Sequence, residues 1–210
     1  MGKLVLVRHG ESVWNEKGLW TGWTDVELDE KGKQQARRAG EAIKDISFSV
    51  AFTAPLKRTQ HTLDTIKEVL VDKTFPNIID KALLERNYGQ LAGKNKWDVE
   101  KQYGEEQFMA WRRGWDSRPP DGESLHDVSS RVIPYFENNI LPRLIERENI
   151  LVVSSGNALR TIIKYLEHIS DTDIENVAIK TGEVWQYDIN TDGEVADKKI
   201  LLANTDPGNQ

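Results

Sequence analysis

One short stretch of the chain has the residue types of a reaction rather than of a core: Arg8-His9-Gly10, followed by Glu11 and Ser12. An imidazole nitrogen is a good nucleophile near neutral pH. The guanidinium beside it presents fixed donors to an anion, and the glycine after it lets a ligand approach the backbone closely. Together they suit attack on a bound phosphate, with His9 as nucleophile and Arg8 as anion partner. A structural role, in which His9 ends a strand against a neighbouring carbonyl, competes on the triplet alone.

Three further groups could serve such a reaction. Arg58 falls at a strand-to-helix junction, where anions are favoured, with His61 and Thr62 one turn on along the same stripe. The run Glu85 to Lys96 sets an acid, cations and Tyr88 between glycines, which is the composition of a functional loop. Trp111-Arg112-Arg113 places adjacent guanidiniums beside an aromatic ring, a pair able to clamp a carboxylate or phosphate.

The elements that must position these groups follow from periodicity. Leu4-Val-Leu-Val7 reads as a short strand buried on both faces, as in a parallel sheet, so Arg8-His9-Gly10 falls at its carboxyl end, where open α/β sheets hold ligands. Leu19 to Asp25, with Trp20 and Trp23, reads as a loop that lines a pocket or covers a sheet edge. Asp29 to Ile46 has helical spacing, Ser49 to Ala54 reads as a second buried strand, and Pro55 starts a helix carrying Leu56, Leu63, Ile66 and Val69. Phe75 to Ile79 reads as a strand, and two short helices span Trp97–Tyr103 and Glu106–Trp115. Ser124 and Asp127 form a capping box opening a helix that Pro134 and Pro142 kink or end. Asn149 to Ser155 is another buried strand, and Gly156-Asn157 opens an apolar-faced helix through Leu166, the same grammar as the first motif. Strands near Val184–Ile189 and Lys199–Leu202 finish the sheet.

With 210 residues, 38% hydrophobic and 30% charged, the chain is an ordinary globular protein of one domain over residues 1–205, with a flexible tail at 206–210. A net charge of −6 argues against nucleic acid as partner, so any anion site depends on locally clustered cations. The absence of cysteine excludes disulfides and thiolate zinc sites, and the N-terminal apolar run is too short for a signal peptide or membrane span. The expectation is a soluble, cytoplasmic protein.

Arg8-His9-Gly10-Glu11-Ser12 with Trp14-Asn15 resembles the start of the histidine phosphatase superfamily. Within it the chain resembles the 2,3-bisphosphoglycerate-dependent phosphoglycerate mutases through residues 3 to 190. The resemblance rests on Thr21-Gly22-Trp23, Leu56-Lys57-Arg58, Glu85 to Gly89, Gly93 to Lys96, Trp111 to Arg113 and Gly122-Glu123-Ser124-Leu125. It implies a single α/β domain with a mostly parallel central sheet and helices on both faces, as a monomer or homodimer. It also implies interconversion of 3- and 2-phosphoglycerate through phosphohistidine at His9, primed by 2,3-bisphosphoglycerate and needing no metal. Arg8, Arg58 and Asn15 match the family's phosphate pocket and Glu85 its general acid/base. Thr21, Gly22, Tyr88, Lys96, Arg112, Arg113, Gly156 and Asn157 match its substrate-binding positions. A phosphomonoester phosphatase of the same superfamily and a weakly catalytic phosphoglycerate-binding relic are the alternatives.

One position departs from the pattern. The family carries a second catalytic histidine just before the Gly-Asn of the late helix, where this chain has Ser155. Serine donates one hydrogen bond, cannot be cationic and reaches less far, and losing one preorganised donor costs on the order of 10²–10³ in rate. The expectation is impaired rather than abolished catalysis.

Overall fold

The Leu4–Val7 run alternates between two cores, which is why it needs no polar face. In the computed structural model, which describes residues 1–205, it is the heart of β1 (Gly2–Arg8). Leu4 and Leu6 pack on one side with Phe52, Val152, Leu125, Val128, Ala158 and Ile162. Val5 and Val7 pack on the other with Ala39, Ile43, Leu63, Ile66, Leu151 and Val153. A strand buried on both faces has to be apolar throughout.

In chain order, β1 is followed by α1 (Val13–Glu16), α2 (Glu30–Ala42), β2 (Val50–Thr53), α3 (Lys57–Val69), β3 (Asn77–Ile79), α4 (Lys96–Tyr103) and α5 (Glu105–Arg113). Then come α6 (Leu125–Tyr135), α7 (Leu141–Ile145), β4 (Ile150–Ser154), α8 (Gly156–Leu166), β5 (Val184–Ile189) and β6 (Val195–Leu202). The sheet order is β3-β2-β4-β1-β5-β6. Pairings β1–β4, β2–β4 and β2–β3 are parallel, whereas β1–β5 and β5–β6 are antiparallel. The expected α/β architecture, with a mostly parallel sheet and helices on both faces, is the one found: α6 and α8 cover one face, α2 and α3 the other.

Local chemistry sets most element ends. Asp29 caps α2 by accepting from the Gly32 N–H. Ser124 and Asp127 form the expected reciprocal capping box on α6. Pro134 and Pro142 do not stop the chain turning. The helix runs through a π-helical segment, Phe136–Ile140, and resumes as α7 with Pro142 in its first turn, where a missing N–H costs nothing.

Several boundaries differ from the sequence reading. Helix α2 ends at Ala42 rather than near Ile46, and β3 begins at Asn77 rather than Phe75, whose ring turns inward against Phe48. Strand β6 starts four residues earlier than expected, at Val195, because pairing with β5 supplies hydrogen bonds to a stretch with no periodic signal of its own. Before the Leu19–Asp25 loop stands the one-turn helix α1, closed by a Ser12–Asn15 capping box. The tail expected at 206–210 lies outside the described residues.

Candidate active site

Parallel pairing of β1 with β4 aligns Arg8 with Ser154, and the His9 N–H continues the ladder to the Ser154 carbonyl at 3.0 Å. His9 and Ser155 are thereby set side by side at the carboxyl edge of the sheet. Gly10 is needed there for space, since a Cβ would lie 2.1 Å from the Gly32 carbonyl oxygen. At Gly156 the fit is less strict: the Arg8 guanidinium lies against it, 3.3 Å from where a Cβ would be, so a side chain there would press on Arg8.

The protonation of His9 follows from its neighbours. Its Nδ1 lies 2.7 Å from the Gly10 carbonyl oxygen, which can only accept, so Nδ1 carries the hydrogen. The Nε2 lone pair is then free, and it accepts from Arg58 Nε at 3.2 Å. Burial, together with Arg58 and Arg8, holds the imidazole pKa well below its usual value. His9 is only 3% exposed, is neutral at physiological pH and lines the cavity, with Nε2 as its unprotonated nitrogen.

Arg58 is fixed by all three of its nitrogens. Beyond His9, Nη1 donates to the Thr24 carbonyl and Nη2 to the Gly22 carbonyl at 2.7 Å. Burial lowers its pKa to about 10, so it remains a cation. One turn on, the Thr62 hydroxyl accepts from the Gly10 N–H, as its stripe position allowed. His61 does not join the site. It is exposed and pairs with Glu27 at 2.9 Å, because the helix sets it about 60° to one side of Arg58 while Thr62 lies about 40° to the other.

Glu85 is held by both backbone and side chain. Its carbonyl accepts from Trp23 Nε1 at 2.7 Å and Arg131 Nη2 at 2.9 Å. Arg131 also reaches Glu123, whose carboxylate accepts from the Asn87 N–H. This explains the Gly122-Glu123-Ser124 block: it caps α6 and braces the Glu85 loop. The Glu85 carboxylate, 8% exposed, accepts at Oε1 from the Arg86 N–H (2.6 Å) and Asn157 Nδ2 (2.8 Å). Its Oε2 accepts only from the Asn157 N–H at 3.4 Å. One oxygen is saturated and the other retains capacity.

Above the sheet edge, α4 and α5 bring in Lys96, Arg112 and Arg113, packed over a small cluster of Trp20, Leu91, Val99, Phe108 and Trp111. Trp20 is therefore pocket wall and cap core at once, while Trp23 is half exposed. Asn15 completes the rim; its side-chain carbonyl is committed to Ser12, which leaves its NH2 end for a ligand.

A single cavity is lined by Arg8, His9, Asn15, Thr21, Gly22, Arg58, Glu85, Tyr88, Lys96, Arg112, Arg113, Gly156 and Asn157. These are the positions that the family resemblance assigns to the site, with one exception. Ser155 is fully buried and outside the lining; its hydroxyl makes no hydrogen bond and does not cap α8. The expectation that Ser155 presents a donor to the pocket is corrected, because so short a side chain stays behind the wall its backbone builds. The cavity is also lined by Leu19 and Trp20, from the loop expected to line a pocket or cover a sheet edge, and by Arg160, Ala178 and Ile179, which the sequence reading did not assign to it. Arg160 could have been found from its i+3 spacing to Asn157 on one helix. Ala178 and Ile179 come from an irregular segment with no local signal.

The electrostatics are one-sided. Arg8, Arg58, Lys96, Arg112, Arg113 and Arg160 face one carboxylate, in a chain whose net charge is negative. Burial and the neighbouring Arg112, Arg8 and Arg113 pull the Lys96 amine down to about 7. Arg8 Nε is buried without a partner. This excess of cations over carboxylates in the cavity lining suits a multiply charged anion. Among the described residues, no group of three or more His, Cys, Asp or Glu could hold a metal. Nor is any helix among them long and apolar enough to cross a membrane.

The sequence pattern of the histidine phosphatase superfamily (branch 1) matches residues 4–199. The chain belongs to that superfamily. Within it, the chain is 45% identical over 202 residues to a 2,3-bisphosphoglycerate-dependent phosphoglycerate mutase of Allorhizobium ampelinum, spanning 95% of this chain and 96% of the relative. A protein of the same description from Methylobacterium radiotolerans is 42% identical, with 98% of each chain covered. Among solved structures, the alpha-ribazole phosphatase of Shigella flexneri superposes with a TM-score of 0.79 at 26% identity, over 97% of this chain and 99% of that one. Bacillus stearothermophilus YhfR gives 0.81 at 23% identity, over 100% and 99%, and speaks for the fold alone.

Proposed function

We propose that the chain is a 2,3-bisphosphoglycerate-dependent phosphoglycerate mutase that interconverts 3- and 2-phosphoglycerate through a phosphohistidine at His9. The observation that carries the reading is one cavity holding a neutral imidazole Nε2, a carboxylate with one unsaturated oxygen and six cations. The 45% identity to a mutase over nearly the whole chain supports the substrate class. The residues present fit a doubly phosphorylated sugar acid, since the unpartnered Arg8 Nε and the Lys96 amine are groups whose charge a bound anion would stabilise. When bound, 2,3-bisphosphoglycerate supplies the phosphoryl group that primes His9.

The chain's own residues then act as follows. His9 Nε2 forms the N–P bond as the P–O bond to the substrate oxygen breaks, and the Nδ1–H···O=C bond to Gly10 offsets the charge that develops on the ring. Arg58 Nε, which covers Nε2 in the free protein, transfers to a phosphoryl oxygen, and Arg8 donates beside it. Glu85 Oε2 gives a proton to the departing oxygen and takes one from the hydroxyl that receives the group in return. Asn15, Thr21 and Gly22 border the phosphoryl end. Arg112, Arg113 and Lys96 hold the remaining anionic groups of the substrate. Ser155 leaves the transferring phosphoryl group one donor short.

The test is conversion of 3- to 2-phosphoglycerate with and without added 2,3-bisphosphoglycerate, counting free phosphate in parallel. Isomerisation that depends on the bisphosphate is expected. Phosphate release in its place points to the phosphatase alternative, and binding with neither product points to the binding relic.

A further inference from the structure

Arg160 sits on α8, 3% exposed, with its guanidinium in the cavity wall. Nη1 donates to Asn157 Oδ1 at 2.9 Å, and Nη2 donates to the carbonyls of Ile174 (2.6 Å) and Arg113 (3.0 Å). A guanidinium has donors only. Burial and the nearby cations Arg113 and Arg86 bring it down to about 9, which leaves it charged at neutral pH.

That single fact propagates. Because Oδ1 of Asn157 must face a pure donor, the NH2 end of its amide must face the other way. There both Nδ2 hydrogens are used, one on Glu85 Oε1 at 2.8 Å and one on the Tyr88 hydroxyl oxygen at 2.9 Å. The first bond, with the Arg86 N–H on the same atom, saturates Oε1 and leaves Oε2 as the oxygen able to carry a proton. The second makes the Tyr88 oxygen an acceptor, so its own hydrogen is left for a ligand in the cavity that Tyr88 lines.

We infer that Arg160 is a positioning residue that sets the direction of the hydrogen-bond relay through Asn157, fixing Oε2 as the proton-transfer oxygen of Glu85 and Tyr88 as a donor to the substrate. The inference rests on the phosphoryl-transfer reading above. The same guanidinium anchors the Arg113 carbonyl at the end of α5, tying the relay to the cap.

A glutamine at this place is shorter and can both donate and accept, so it no longer forces the amide. Arg160→Gln is expected to lower kcat by roughly 10- to 100-fold, less than the roughly 10²–10⁴ of the proton-transfer group it positions, with a smaller rise in KM. Arg160→Lys keeps a donor-only cation and is expected to recover most of that loss. The decisive readout is a double-mutant cycle with Asn157→Ala: once Asn157 is absent, Arg160→Gln is expected to change kcat by less than about threefold. A role confined to fold stability predicts multiplicative losses and a matching fall in thermal unfolding temperature across all variants.

Both 2-phosphoglycerate and free phosphate are counted from 3-phosphoglycerate, because either product needs a proton on the departing oxygen. A parent chain that releases phosphate without isomerising overturns the mutase reading and leaves the relay measurable. Multiplicative losses in the cycle, or an Arg160→Gln variant with parental kcat, overturn the relay alone.

Discussion

His9, Arg58 and Asn157 stand at strand ends and helix starts backed by the two large cores on either face of the sheet, whereas Lys96, Arg112 and Arg113 stand on α4 and α5, which rest on a separate cluster of Trp20, Leu91, Val99, Phe108 and Trp111. The two regions divide the labour. At the sheet edge the reacting groups are held by stated partners: His9 Nδ1 on Gly10, Arg58 on three acceptors, Glu85 Oε1 on two donors. In the cap, mutually repelling cations are held without enough carboxylates to neutralise them. The edge is preorganised for bond making, and the cap is organised to be completed by an anion.

That contrast ranks the consequences of substitution. His9→Ala removes the nucleophile and should lower turnover by roughly 10⁴-fold or more, measured as isomer formed per unit time. Arg58→Ala removes a donor to the transferring group and should cost on the order of 10²–10³ in kcat. Arg58→Lys should restore little, because a single ammonium cannot reach His9, Thr24 and Gly22 together. Ser155→His tests the one gap in the edge. Restoring a reaching, chargeable donor should raise kcat on the order of 10²-fold, and a rate within a few-fold of the parent would contradict the assignment of Ser155 as a catalytic deficit.

In the cap the signature should move from kcat to KM. Arg112→Ala is expected to raise KM for 3-phosphoglycerate by roughly 10-fold, the scale of one charge-assisted hydrogen bond, with a smaller change in kcat. The smallest effect is a pH dependence. With its pKa drawn down to about 7, the Lys96 amine is a cation below that pH and loses its charge as pH rises through it. Sulfate, which does not itself titrate in this range, should therefore bind more weakly from pH 6 to 8, by at most about tenfold per pH unit. Lys96→Met should flatten that slope; an unchanged slope would place the titration elsewhere.

The sequence reading reached the edge more fully than the cap. The buried strand ending in Arg8-His9-Gly10 and the helix opening at Arg58 have local signatures, apolar runs broken by chemistry-bearing residues, and the register of β1 against β4 needs only parallel pairing to set His9 beside Ser155. The cap core has no such signature. Trp20, Leu91, Val99, Phe108 and Trp111 come from four separate segments with no shared period, so their meeting is a tertiary event. The role of Glu123, which braces the Glu85 loop through Arg131, was hidden because the pairing spans the Asn87 backbone and α6. The burial of Ser155 depends on the reach of its side chain relative to the wall, which residue order does not encode.

Whether His9 carries the phosphoryl group is measured most directly as acid-labile phosphate bound to the chain after mixing with 2,3-bisphosphoglycerate. Intact mass followed by peptide mapping under alkaline conditions is expected to find a single phosphoryl group on the peptide containing His9, absent in His9→Ala. No incorporation, or incorporation mapping to another residue, would contradict the account.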